Sequence, residues 1–372
     1  MGMINEICTF APKSKIKAGE ATKDGQYIFF TSSEDESKKY NDYIYDGEGI
    51  IMGTGGNATL HYYNGKYATS TDCLVLLPDK KIIDCKYLYY FFLSKMGLLE
   101  AGFKGAGLKH TNKKYISNIE INYIPSKEQQ LRVVGILDKV IGLIEICQQE
   151  IDKLNQLVKS RFVEMFGDPK LNNYHHKIIP FDLVVEYMGD IGSNGANKVV
   201  VEHLDMKDEE DYALMVRFLN FTNNDFTNNV KYISKESYDF FKKSKLFGGE
   251  LIICKIGSAG LNYVMPNLNR PVSLGLNQIM VRLKKEILMP YLYQYLHTEY
   301  GEFLISECVN GAVTKSITKT KLKELPLMLP PIHLQSKYAD FVTKVEQQKA
   351  TVQKSIDKLE TLKKSLMQEY FG

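Results

Sequence analysis

The sequence contains no apolar run long enough to cross a bilayer, which needs about 20 residues, and nothing at its start reads as a signal peptide. Tryptophan is absent. The six cysteines (Cys8, Cys73, Cys85, Cys147, Cys254 and Cys308) include no C-x-x-C pair. A zinc ribbon and a disulfide scaffold are thereby excluded, and the cysteines read as reduced, buried, small apolar residues of a cytoplasmic protein. An excess of one charge is also missing: 47 basic against 44 acidic residues leave a net +3. So small a charge does not mark nucleic-acid binding by itself, and any phosphate-binding surface has to be local.

Catalytic signatures are missing as well. There is no G-x-x-x-x-G-K-[ST] phosphate loop. The cluster at Gly53, Gly55 and Gly56 lacks the Lys-Ser/Thr that would make it one, and it is not a G-x-G-x-x-G fingerprint. No H-E-x-x-H, G-x-S-x-G or N/D-P-P-Y/F motif occurs. The histidines are scattered, and the one close pair, His175-His176, points its adjacent side chains apart. These absences predict a chain with no catalytic residue, metal or cofactor of its own.

What the chain does have is an internal repeat. Residues 125–167 and 330–372 align without a gap at an offset of 205, with 15 identities, including Ile151-Asp152-Lys153-Leu154 against Ile356-Asp357-Lys358-Leu359. Proline opens each copy and Phe-Gly closes it (Phe166-Gly167, Phe371-Gly372), as expected at the two ends of a helix. Gly135 lies inside the helix-forming first copy. Val133, Leu137, Val140, Ile144, Cys147, Ile151, Leu154 and Val158 alternate steps of four and three, a heptad seam. The second copy keeps the seam at Tyr338, Val342, Val345, Val352, Ile356, Leu359 and Leu366 and breaks it at Lys349 and Lys363. A helix of this length spans roughly 55–60 Å and has only a narrow stripe to bury. Two such stripes most simply bury each other, which predicts an antiparallel intramolecular coiled coil packed through Leu137, Val140, Ile144, Ile151 and Leu154 against Val342, Val345, Val352, Ile356 and Leu359.

The repeats leave two segments, 1–124 and 168–329, each of single-domain size and patterned as mixed α/β. The segments resemble each other weakly. Gly47–Met52 and Gly249–Cys254 each read as a buried strand running into a glycine-rich turn. Strand-like runs follow at 72–77 and 278–283, then helix-like stretches at 87–99 and 290–305. Each segment next reaches a basic loop, 105–114 and 311–321, without one acidic residue. Small residues let the backbone approach a polyanion, and lysines neutralise phosphate. The residues expected at DNA are Gly55, Asn57, Lys104, Lys109, His110, Lys113 and Lys114 in the first segment. In the second they are Lys255, Ser258, Thr314, Lys315, Lys319 and Lys321.

Globular segment, helix, globular segment, a second helix that nearly repeats the first: this order resembles the DNA-specificity subunit of type I restriction–modification systems over essentially the whole chain. The helix starts at 124–130 and 329–335, the closing Phe162–Pro169, the strand–turn block at 249–260 and the Gly-x-x-x-Lys loop at Gly311–Lys315 carry the likeness. The family's usual Pro-Leu-Pro-Pro-Leu start ending in Glu-Gln is incomplete here. The first copy lacks its second proline, and Leu334 replaces Glu in the second. The resemblance implies α/β (α+β) target-recognition domains at 1–124 and 168–329, each reading half of a split double-stranded DNA target, with spacer helices at 125–167 and 330–372. It also implies two modification (methyltransferase) subunits docked on the helices. These would bring S-adenosylmethionine, and motor–nuclease subunits would bring ATP and Mg. A coiled-coil adaptor joining two protein-binding domains is the alternative, and a nucleotide-binding enzyme is disfavoured by the missing motifs.

Overall fold

The computed structural model describes residues 2–372. Each repeat copy is one continuous 40-residue helix, Lys127–Phe166 and Ile332–Phe371. Ser126 opens the central helix with a reciprocal cap: its hydroxyl accepts the Gln129 N–H at 3.3 Å, and the Gln129 side chain accepts the Ser126 N–H at 3.2 Å. The second copy has Pro331 in that place, and the Pro331 carbonyl accepts the Leu334 N–H at 3.0 Å. Gly167, at φ 79°, ends the central helix by returning its N–H to the Val163 carbonyl. Gly135 and Gly142 both lie inside the central helix with nothing within 4 Å of an added Cβ.

Burial along the helices follows the heptad. Leu137 and Val140 are buried, and Val133, Ile144, Cys147, Ile151, Leu154 and Val158 are half-buried. On the C-terminal helix Tyr338, Val345 and Ile356 are buried, and Val342, Val352, Leu359 and Leu366 half-buried. Cys147 is therefore not the buried cysteine that was expected; the other five are buried, and all six are free. At the two seam breaks, Lys349 and Lys363 are half-buried and carry their ammonium groups to Glu346 (2.9 Å) and Glu360 (2.5 Å). Each stem covers the seam while the charge leaves it.

The chain forms two compact units, Met1–Glu150 with Val352–Gly372, and Ile151–Thr351. The boundaries drawn from sequence follow secondary structure, whereas these units divide both long helices near their middles. The reason is packing, since each half-helix is part of the core of the unit it lies in. In the first unit Leu137, Met367 and Phe371 join Ile50, Met52, Leu76, Leu88 and Phe92 in one cluster, with Leu366 and Val133 against it. The start of one helix thus lies beside the end of the other. In the second unit Phe162 and Phe166 of the central helix pack on Tyr338 and Tyr291, with Phe166–Tyr291 ring centroids 4.8 Å apart, and the Tyr338 hydroxyl donates to the Val158 carbonyl at 3.3 Å. There the end of the central helix meets the start of the other, so the pair is antiparallel in both units.

The two globular segments share a four-stranded antiparallel arrangement. In the first it runs Cys8–Phe10, Cys73–Pro78, Tyr45–Gly53, Leu60–Thr69, and continues into Tyr27–Phe30 and Lys39–Tyr40. In the second it runs Val185–Gly189, Gln278–Leu283, Leu251–Cys254, Asn262–Val264. A second four-stranded sheet, built on Ala213–Val216 and Val272–Leu274, completes that unit. Both helix-like stretches are broken in two: Cys85–Ser94 then Met96–Glu100, and Met289–Leu296 then Glu299–Glu307. At the second break the Thr298 hydroxyl accepts the Gly301 N–H and starts a new helix.

Candidate nucleic-acid interface

In each unit the turn after the central strand meets the basic loop through backbone hydrogen bonds. In the first unit the Gly56 N–H donates to the Lys109 carbonyl at 2.9 Å, and the Thr111 N–H donates to the Thr54 carbonyl at 3.0 Å. In the second the Gly257 N–H donates to the Lys315 carbonyl at 3.1 Å, and the Ile317 N–H donates to the Lys255 carbonyl at 2.9 Å. The same two rungs are made twice, with a sequence offset that changes from 201 at the turn to 206 at the loop. Each loop then ends in an N-cap: the Asn112 side chain accepts the Tyr115 N–H, and Thr318 accepts the Lys321 N–H.

Gly105 and Gly311 open the two loops at φ 147° and 101°, and a Cβ there would press on the Leu108 or Thr314 carbonyl oxygen at 2.9 or 2.2 Å. The loop needs glycine at this point because any side chain would displace the turn. The turn lifts Leu108 and Val313 to tips that are 70% and 97% exposed.

The candidate residues do not all stand alike. Asn57, Lys104, Lys109, His110 and Lys114 are exposed, and so are Ser258, Thr314, Lys315 and Lys321. Lys104 pairs with His110 through backbone bonds in both directions, and Gly55 lies against the His110 ring. Lys321 comes within 4.0 Å of Glu324. Lys113 is exposed, but its ammonium sits 4.8 Å over the Phe10 ring.

Lys255 and Lys319, expected to face phosphate, are turned inward. Their ammonium groups meet the two oxygens of Asp190 at 2.7 and 2.9 Å, and Ser193 donates to the same carboxylate at 3.0 Å. Asp190 is 5% exposed. Burial alone would raise its pKa, but the hydrogen bonds from Lys255, Lys319 and Ser193 outweigh it and hold the carboxyl at about 2. Lys113 and Lys319 are each the first residue of the helix after the loop. One is anchored over an aromatic ring and the other by a carboxylate.

Sequence reasoning missed Asp190 and Phe10, because each lies far along the chain from the lysine it holds and neither belongs to a motif. It also missed the use of Gln130 and Gln335, whose one signal was their identity across the repeat. Among the described residues no cluster of three or more His, Cys, Asp or Glu could hold a metal, and no helix is long and apolar enough to cross a membrane.

Residues 1–156 and 187–361 match the type I restriction modification DNA specificity domain. The chain belongs to this family. The MjaVIII specificity subunit of Methanocaldococcus jannaschii is 22% identical to this specificity-family chain over 328 residues, covering 86% of the chain and 76% of that subunit. The EcoDI specificity subunit of Escherichia coli is 24% identical over 145 residues, or 39% of the chain, and the chain spans only 32% of that relative. The type I restriction-modification S subunit of M. genitalium shares the fold, with a TM-score of 0.62 at 16% identity over 100% of this chain and 95% of that one. A chain from a study of complex assembly and conformational transition in the type I R-M system follows at a TM-score of 0.54 and 13% identity, covering 100% and 96%.

Proposed function

We propose that this specificity-family chain reads a bipartite double-stranded DNA target, one half-site with residues 1–124 and the other with residues 168–329. The observation that carries the reading is the duplicated loop platform. Two acid-free basic loops are each held by the same two backbone rungs to a small-residue turn. Exposed lysines beside backbone that can come close to DNA suit phosphate contact, which fixes register and orientation. Differing tips and flanks suit contact with different bases.

Under this reading the paired helices are the spacer. Half-sites one DNA turn apart lie about 34 Å from each other, a distance within the reach of a 40-residue helix at about 1.5 Å per residue. Their repeated pattern, with 15 identities over 43 residues, offers two similar docking places for two modification subunits. Those subunits would bring S-adenosylmethionine and the catalytic groups, and ATP and Mg would belong to further motor–nuclease subunits. A solved relative studied for assembly of the type I system supports the docking.

The test is co-expression with a type I modification subunit from the same genome, followed by mapping of methylated bases. The reading expects chain-dependent methylation at a split motif with a fixed gap, and no methyl transfer by the purified chain alone. Methylation at an unbroken motif, or transfer without the partner, contradicts it.

A further inference from the structure

Two fully buried glutamines do the same thing in the two units. Gln130 and Gln335, both 0% exposed, occupy the first turn of the long helices. The Gln130 amide donates to the carbonyls of Ile82 (3.1 Å) and Pro125 (2.9 Å), and its oxygen accepts the Asp84 N–H at 2.6 Å. The Gln335 amide donates to the carbonyls of Glu286 (3.3 Å) and Pro330 (2.8 Å), and its oxygen accepts the Leu288 N–H at 2.9 Å. Each side chain thus bonds three backbone groups: one at the start of its own helix, and two in the short link between a central strand and the helix that follows it. Asp84 and Leu288 are themselves the N-caps of those following helices.

This is a tie between elements and not a filler of volume. A primary amide offers one acceptor and two donors in one plane, and here both donors and the acceptor are used. A carboxylate could keep the acceptor but not the donors, and a thioether could keep neither. The strand at the far end of each link, Cys73–Pro78 or Gln278–Leu283, pairs with the strand that runs into the glycine-rich turn of the DNA loop platform. The angle between the long helix and the sheet that carries the platform is therefore fixed through one buried amide in each unit.

We propose that Gln130 and Gln335 are positioning residues that set the angle of each DNA-reading segment on its spacer helix, and with it the selectivity of the protein for the gap between half-sites. The proposal rests on the bipartite reading above. It makes the glutamines part of a ruler: loosening one tie lets its segment tilt, so that targets with a wrong gap are discriminated against less strongly.

The experiment uses the full chain assembled with its modification subunits. The probes are synthetic duplexes bearing the mapped motif with the native gap and with the gap one base pair shorter or longer. The wild-type complex should prefer the native gap. Gln335→Met, and separately Gln130→Met, should reduce the ratio of native-gap to altered-gap affinity by about fivefold or more. Gln335→Glu, which turns an oxygen onto the Glu286 and Pro330 carbonyls, should reduce the ratio at least as far. Should one Met variant fail to fold, the Met variant at the other glutamine decides. A gap-selective wild type with variants that lose affinity equally on all three duplexes would assign the glutamines to stability only and overturn the proposal. A wild type indifferent to the gap would instead overturn the bipartite reading, and the proposal with it.

Discussion

At the scale of single residues, the lysines separate by what already holds them. Lys315 is exposed and has its backbone, not its ammonium, tied to the platform. Lys319 is committed to Asp190. Lys315→Ala should therefore lower the slope of log affinity against log salt by about one unit on all DNA sequences, and Lys319→Ala should leave that slope close to its wild-type value. DNA titrations at several salt concentrations check both. Asp190 also makes a pH prediction. Its folded pKa, about 2, is depressed below the ordinary 3.8. The carboxylate's contribution is therefore fully present above about pH 4 and is lost as pH falls from there toward 2, where the proton returns to both states. The amount is roughly 2 kcal/mol at neutral pH. Denaturant unfolding of wild type and Asp190→Asn should differ by about that much at pH 7, and the difference should shrink below pH 4. A difference independent of pH would mean that the ion pairs are not what Asp190 supplies. None of this was legible in the sequence. Asp190 lies 129 residues from Lys319 and leaves no local trace beside it, so the loops were visible while the state of each lysine within them was not.

At the scale of elements, the long helices were legible almost to the residue, because a heptad sustained across a duplicated 40-residue helix is a strong periodic signal. Pro125 and Gly167 marked the ends, and the Ser126 cap was seen only in the structure. The turn and the basic loop were each visible through repetition, because they recur in register with two matched helices, but the backbone rungs that join them were not. The helix-like stretches at 87–99 and 290–305 were drawn unbroken because composition carries no record of the break that the Thr298 cap makes. Gly135 tests how much of the central helix is held by packing. An alanine there meets open space, so Gly135→Ala should stabilise the chain by about 0.5–1 kcal/mol, seen as a higher Tm. Leu137→Ala, at a fully buried seam position in the first core, should cost about 2–5 kcal/mol. A Leu137→Ala variant as stable as wild type would mean that the helix pair contributes little to that core.

At the scale of the whole molecule, the repeat governs the architecture. The four-stranded arrangement, the glutamine tie, the loop rungs and the capped helix after the loop occur in both units. The second sheet repeats a pairing of the first segment: Ala213–Val216, like Tyr27–Phe30, has one antiparallel and one parallel neighbour, but in the second unit these strands form a sheet of their own. Two different readers on a common frame should be exchangeable. The most direct test is to replace residues 1–124 with the same region of a related specificity subunit, express the hybrid with the modification subunit, and map the methylated bases. The account predicts that one half of the split motif changes while the other half and the gap persist. A change in both halves together, or in the gap alone, would contradict it.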